Sequence, residues 1–347
     1  MRKRDIILLL IPLIILSAGF GAGLRLWKER NIVSMMSASV SPVIATSTAN
    51  TTISTSSLEV LEIEPVQLQL IFVGDIMLDR GVKRKVETMG DGDFRFPFSK
   101  IAGLISSADL AFGNLEGPIS DKGEEVGNLY SFRMLPQSVD GLVYAGFDVL
   151  SLANNHIGDW GREAITDTIV NLRDVGIIPV GAGLNMNDTY APRVVELQSI
   201  KIAFLAFSDF QQPEPSDTKS GVAVTDEMRI KTAVRKAEQI ADIVIVSFHF
   251  GNEYIKEPTE RQRMLAQLVI DEGADLVVGS HSHVLQPLEI YKDKYIAYGL
   301  GNFIFDQNFS FDTMTGGLLS VILTGVDITS VILHTVRIND DFQVHIE

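Results

Sequence analysis

Short apolar, β-branched runs recur along this chain, and most of them empty directly into a cluster of polar residues. The runs are LQLIFVG (68–74), DVLSLA (148–153), KIAFLAFS (201–208), DIVIVSFH (242–249), DLVVG (275–279) and KYIAYGL (294–300). Runs this short and this apolar read as buried strands. Between them lie amphipathic stretches that read as helices: 136–146, 161–176, 226–241 and 258–273. In the last, Met264, Leu265, Leu268 and Val269 recur at helical spacing beside charged positions. Strand–helix alternation restricts the body to an α/β fold whose helices cover its sheets. After Gly316 the pattern changes, and GLLSVILTGV and ITSVILHTVRI read as consecutive strands, a hairpin completing or flanking the main sheet.

In open α/β sheets, sites form outside the carboxyl ends of the strands. Asp75 stands at the end of the first run, Asn114 and Glu116 follow ADLAF, and Asn154, Asn155, His156 and Asp159 follow DVLSLA. His249 closes the fourth run, His281 and His283 follow the fifth, and Asn302 and Asp306 follow the sixth. Each has an ordinary reading by itself. Asp75 reads as a turn residue, Glu116 as a solvated carboxylate, and Asn154 and Asn155 as caps of the helix near Gly161. His249 reads as a core histidine, and Asp159 and Asp306 as orienting or capping groups. The repetition is harder to dismiss. Four of the six histidines sit at strand ends among other polar groups, whereas His334 and His345 do not and are left structural.

His281 and His283 have the spacing that puts two side chains on one face of an extended segment. Two neutral imidazoles on one face make half a site for a divalent metal. With carboxylate and amide oxygens added, the shell is mixed N/O and suits Mn, Fe or Zn. The candidates exceed the needs of one four-coordinate ion, so one or two divalent metals are expected, a pair being bridged by a carboxylate. The GAG at 181–183 lacks the strand–G-x-G-x-x-G–helix context of a nucleotide loop.

Before the body, residues 6–24 carry no charge, flanked by MRKRD and by Arg25, Lys28 and Arg30. Nineteen residues at helical rise cover roughly 28 Å, about the hydrocarbon thickness of a bilayer. Residues 1–30 are read as an uncleaved membrane anchor, with a cleaved signal peptide ending near SAG (17–19) as the competing reading. Residues 31–64, rich in Ser and Thr, read as a flexible linker, and residues 65–347 as the folded domain. No cysteine is present, which excludes a disulfide framework, a thiolate metal site and a lipoprotein anchor. Residues 1–30 hold six Lys/Arg and two Asp/Glu, so the chain's net charge of −15 becomes −19 over the remainder. So acidic a body argues against nucleic acid as a partner.

The segments GDIMLDR (74–80), GNLEGPI (113–119), LANNHIGDWG (152–161), HFGNEY (249–254), GSHSHVLQP (279–287) and GLGNFIFDQ (299–307) resemble, in order, those of the CapA family. These are poly-γ-glutamate capsule synthesis proteins related to calcineurin-like metallophosphoesterases. The resemblance implies a four-layer α/β/β/α metallophosphoesterase-like sandwich, membrane attachment and a place at the cell surface, which with the anchor read at residues 1–30 gives an N-terminal transmembrane helix and an extracytoplasmic domain. It also implies a role in assembling or exporting a surface polymer. The implied partners are the cell membrane, a poly-γ-glutamate-like polymer or its precursor, and other capsule-synthesis membrane proteins.

Carried over residue by residue, the resemblance makes Asp75, Glu116, Asn155, His249, His281 and His283 metal ligands, with Asn114 close enough to compete with Glu116. It makes His156 the general acid, and Asp159, three residues on, is read as the residue that orients it. The phosphoesterase relatives open with Asp-x-His, whereas here Ile76 and Met77 follow Asp75, so that histidine is missing. Position 282 is Ser where relatives often have Pro. The expected chemistry is metal-dependent hydrolysis or transfer. A non-catalytic assembly component and a secreted phosphoesterase are the alternatives, so whether the chain is an enzyme stays open at this point.

Overall fold

In the computed structural model, which describes residues 65–347, the alternation becomes strands and helices in a fixed order. The first half runs β1 (Gln67–Ile76), α1 (Arg80–Met89), α2 (Ala102–Ile105), β2 (Leu110–Leu115), α3 (Val139–Ala145), β3 (Val149–Ser151), α4 (Gly161–Asp174) and β4 (Ile178–Val180). Then come β5 (Ala182–Gly183), α5 (Met186–Thr189), β6 (Arg193–Leu197), β7 (Ile200–Ser208), β8 (Gly221–Val222), α6 (Glu227–Glu238), β9 (Ile243–His249), α7 (Glu260–Asp271) and β10 (Leu276–Ser280). The chain closes with β11 (Leu288–Tyr291), β12 (Lys294–Ala297), β13 (Asn302–Ile304), β14 (Thr315–Thr324), β15 (Asp327–Ile338) and β16 (Val344–Ile346). The expected anchor and linker lie outside the described residues. Among the described residues no helix is long and apolar enough to cross a membrane.

Apart from the short antiparallel pair β5–β8, the strands form two mixed sheets. The first is ordered β16-β15-β14-β1-β2-β3-β4, with β13 also paired to β1, and the second β11-β12-β10-β9-β7-β6. The C-terminal hairpin extends the first sheet, β14 pairing antiparallel to β1. The strands that lead into the polar clusters run parallel: β1, β2 and β3 in one sheet, β9 and β10 in the other. Their carboxyl ends are thereby gathered at matching edges, as the crossover rule for such sheets requires.

Side-chain alternation along the second sheet explains the layers. Ile202, Phe204 and Ala206 of β7 belong to the cluster shared with the first sheet. Ala203, Leu205 and Phe207 belong to the cluster shared with α6 and α7. Strands β9 and β10 divide in the same way. The larger cluster also takes in Val82 and Val86 of α1, Leu142 of α3 and Ile165 and Ile169 of α4. The result is a helix–sheet–sheet–helix stack. Between the sheets, the rings of Phe112 and Phe204 stack with centroids 5.8 Å apart.

Local signals fix the helices on the second sheet. Thr259 and Gln262 form a reciprocal capping box at the start of α7. Asp226 accepts from Arg229 N at the start of α6. Asn154 and Asn155 do not cap α4, whose N-cap is Trp160. The start of α1 is held from a distance, with Asp306 Oδ2 accepting from Gly81 N at 2.9 Å and the same carboxylate pairing with Arg80.

Candidate metal centre

Asp75 lies near the end of β1, opposite Asn114 of β2 on one side and Asn302 of β13 on the other. The backbone approach beside it is tight: a Cβ on Gly74 would stand 1.8 Å from Gly301 O, so only glycine fits there. Glu116 follows β2, while Asn155 and His156 follow β3. His249 ends β9, and His281 and His283 follow β10. Asp75, Glu116, His249, His281 and His283 are all buried.

These residues form two adjoining groups. One ligand atom from each of Asp75, Glu116 and His283 can be chosen so that all lie within 4.8 Å of one another. His283 Nε2 stands 3.7 Å from Glu116 Oε1. In the second group, Asn155 Oδ1 lies 2.7 Å from His249 Nε2, which lies 3.1 Å from His281 Nδ1. Asn114 stands between the groups and acts as a brace. It donates to Asp75 Oδ1 at 2.8 Å, and the same nitrogen is 3.4 Å from His249 Nδ1. Its oxygen accepts from Asn154 Nδ2 at 3.3 Å.

The two histidines of the SHSH segment do not lie on one face of an extended strand. β10 stops at Ser280, and His281 and His283 both take positive φ, 93° and 55°. Such backbone is strained for residues with a Cβ and occurs where surroundings enforce it. The curl sends His281 toward His249 and His283 toward Asp75 and Glu116, so the pair serves both groups rather than half of one.

Glu116 is the most telling residue. It is fully buried, and neither carboxylate oxygen has a hydrogen-bond partner. A buried carboxylate without a partner is costly, and a cation relieves that cost. Burial first, and the nearby Asp75 second, push the Glu116 carboxyl well above its ordinary pKa. Burial lowers His249 well below the usual imidazole value and takes His281 to about 3, neighbouring histidines adding to both. The imidazoles are thus kept neutral, as metal ligands must be. Carboxylate, amide oxygen and neutral imidazole together form a donor set that fits a transition-series divalent cation such as Mn, Fe or Zn.

His156 stands beside these groups with a different attachment. Its Nδ1 lies 2.8 Å from Asp159 Oδ2, and since a carboxylate only accepts, Nδ1 carries the proton. Asp159 is itself fixed by Asn128 Nδ2 at 2.7 Å and by Phe132 N at 2.8 Å. The Phe132 ring packs on the His156 imidazole with centroids 4.0 Å apart. His156 Nε2 faces inward, 4.0 Å from Glu116 Oε1. A cavity of about 300 Å³ lined by Asp209, Phe210, Gln211 and Gln212 opens nearby. The Phe210 ring packs against His281 at 4.1 Å.

Several groups in the site are invisible to reading by strand ends. Ser280 lies 2.8 Å from His249 Nδ1, Asn128 and Phe132 hold Asp159, and Gln212 Nε2 donates to Asn155 O at 2.9 Å. Asn302 was visible at a strand end, but its partner, His283 Nδ1 at 2.9 Å, was not. Met77, standing where the phosphoesterase pattern has histidine, turns its sulfur to accept from Asp79 N at 3.1 Å.

Residues 69–307 match the model of the bacterial capsule synthesis protein family PGA_cap. The capsule biosynthesis protein CapA of Bacillus anthracis is 33% identical over 258 residues, covering 71% of this chain and 62% of that protein. The PGA biosynthesis protein CapA of Bacillus subtilis is 34% identical over 250 residues, covering 70% and 64%. The chain thus spans under two thirds of the length of these relatives. Among solved structures, a hypothetical protein from Thermus thermophilus aligns with TM-score 0.49 and 16% identity over 77% of this chain and 98% of that one. A Mycoplasma pneumoniae phosphatase aligns with TM-score 0.49 and 15% identity over 79% and 94%. The span matched by the family model runs from β1 to Gln307 and so contains every residue of the two groups and the His156–Asp159 pair; the chain belongs to the PGA_cap family of bacterial capsule synthesis proteins.

Proposed function

We propose that this chain is a membrane-anchored, extracytoplasmic protein of poly-γ-glutamate-type surface polymer synthesis or export, bearing a metal-dependent hydrolase-type site on a metallophosphoesterase-like sandwich. The polymer role draws on the names of the two CapA relatives. The chemical reading is carried by one observation, the buried Glu116 carboxylate without a hydrogen-bond partner beside Asp75 and His283.

Asp75, Glu116 and His283 would hold one divalent ion, and Asn155, His249 and His281 would hold a second. Bound there, such ions supply Lewis acidity and lower the pKa of water. The remaining work falls to the chain. His156, its Nδ1–H held by Asp159, presents Nε2 inward and there delivers a proton to the leaving group. Asp159 steadies the imidazolium that this role requires, and Phe132 fixes the plane of the ring. The Phe210 ring covers one side of the His281 imidazole.

A second reading, a non-catalytic assembly component, is favoured by Met77. With its sulfur turned to Asp79 N, the first group has only three protein ligands. An activity screen with Mn²⁺ against phosphomonoester, phosphodiester and γ-glutamyl substrates separates the two. Catalysis predicts turnover that falls about 10²-fold or more in His156→Ala while bound metal persists. Bound metal with no turnover on any substrate supports the assembly reading instead.

A further inference from the structure

We propose that Asn302 is the positioning residue that fixes the tautomer of His283, keeping the proton on Nδ1 and the Nε2 lone pair toward Glu116. Its consequence for metal binding rests on the reading above; the choice of tautomer stands on hydrogen bonding alone. Asn302 is fully buried at the start of β13. Its Nδ2 donates to Thr313 O at 2.9 Å and to Gln307 Oε1 at 3.1 Å. A backbone carbonyl only accepts, so the carboxamide has one possible orientation. Its Oδ1 therefore faces His283 Nδ1 at 2.9 Å. An amide oxygen also only accepts, and so Nδ1 carries the ring proton. Asp75 Oδ2, 3.4 Å from the same nitrogen, is a second acceptor and demands the same tautomer. Nε2 is left with its lone pair, facing Glu116 Oε1 at 3.7 Å, and a cation between these two electron-rich atoms would satisfy both.

The backbone holds Asn302 as firmly as the ligand it serves. Residues 301–302 thread between two glycines. A Cβ at Gly74 would stand 1.8 Å from Gly301 O, and one at Gly316 would stand 1.9 Å from Asn302 O. Gln307 extends the brace outward, its Nε2 donating to Tyr254 OH at 3.1 Å. The Tyr254 ring in turn lies over His283 with centroids 5.9 Å apart. Fixing the far nitrogen of a metal-ligating histidine raises its basicity and holds its plane, and loss of such a partner costs about 10–100-fold in metal affinity.

The test begins with the metal-free full-length protein, ¹⁵N-labelled at histidine and held at about pH 8, above the ordinary imidazole pKa. The His283 resonances are assigned by their loss in His283→Gln. A protonated Nδ1 and a bare Nε2 are expected; a protonated Nε2 overturns the proposal. In parallel, Mn²⁺ is titrated into wild type, Asn302→Leu and Asn302→Asp. Asn302→Leu should bind about 10–100-fold more weakly, and Asn302→Asp, which keeps an acceptor for Nδ1–H, should recover most of that loss. Wild-type affinity in Asn302→Leu overturns the role. If wild type itself takes up no Mn²⁺, the metal reading fails and the His283 tautomer of Asn302→Leu decides: a proton moved toward Nε2 supports the role, and Nδ1–H kept as in wild type assigns the tautomer to Asp75 and overturns it. If Asn302→Leu does not fold, Asn302→Ser is read in the same way.

Discussion

At the scale of single residues, the site is a set of opposed titrations. The folded chain holds the Glu116 carboxyl above its ordinary pKa of 4.5, chiefly by burial. In the metal-free protein its stabilising contribution is therefore complete below about pH 4.5 and is lost as pH rises through the raised value. His281 runs the other way. Its folded pKa of about 3 lies below the ordinary 6.5, so its contribution is present above about pH 6.5 and lost as pH falls toward 3. His249 is lowered in the same direction. A metal ion needs the carboxylate ionised and the imidazoles neutral, so below the raised Glu116 pKa its binding must expel the Glu116 proton. Mn²⁺ affinity should therefore weaken as pH is lowered, with release of about one proton counted by calorimetry in buffers of different ionisation heat. Affinity that does not weaken as pH is lowered contradicts this assignment. The residue types of the site were legible because histidine is scarce in this chain and clusters at strand ends. The positive φ at His281 and His283 was not, because it arises from the loop's packing rather than from any local propensity.

At the scale of elements, strands buried on both faces announced themselves. β1, β7, β9 and β10 are near-continuous apolar runs, and they appear within a residue or two of their expected limits. α1 did not announce itself: half of RGVKRKVETM is charged, and only Gly81, Val82 and Val86 are buried. Its start depends on Asp306, 225 residues away in sequence from Gly81. β6 and β11 lie at the edges of the second sheet with half-buried or exposed residues, so their apolar signal was weak. The two sheets meet in a shared core in which the Phe112 ring stacks on Phe204. Phe112→Ala should cost about 3–5 kcal/mol in denaturant unfolding. A loss under about 1 kcal/mol would show that the sheets are held together elsewhere.

At the scale of the whole molecule, each sheet brings part of the site. Asp75, Glu116 and Asn155 come from strand ends of the first sheet, and His249, His281 and His283 from those of the second. The order of the polar clusters was legible in the sequence, but which cluster meets which depends on how the sheets stack. That is why Asn114 emerged as a brace and Asn302 as the partner of His283. Residues 1–30 are read as the tether of this acidic body to a membrane. The full-length chain should then sediment with membranes and be released by deletion of residues 1–30; recovery of the intact chain in the soluble fraction would oppose the anchor. The most direct test of the central claim, a metal centre built where the two sheets meet, is the metal content of the purified protein by elemental analysis. Wild type should carry Mn, Fe or Zn, and the His281→Ala/His283→Ala double variant should lose it while remaining folded. Equal metal content in the two proteins would contradict the account.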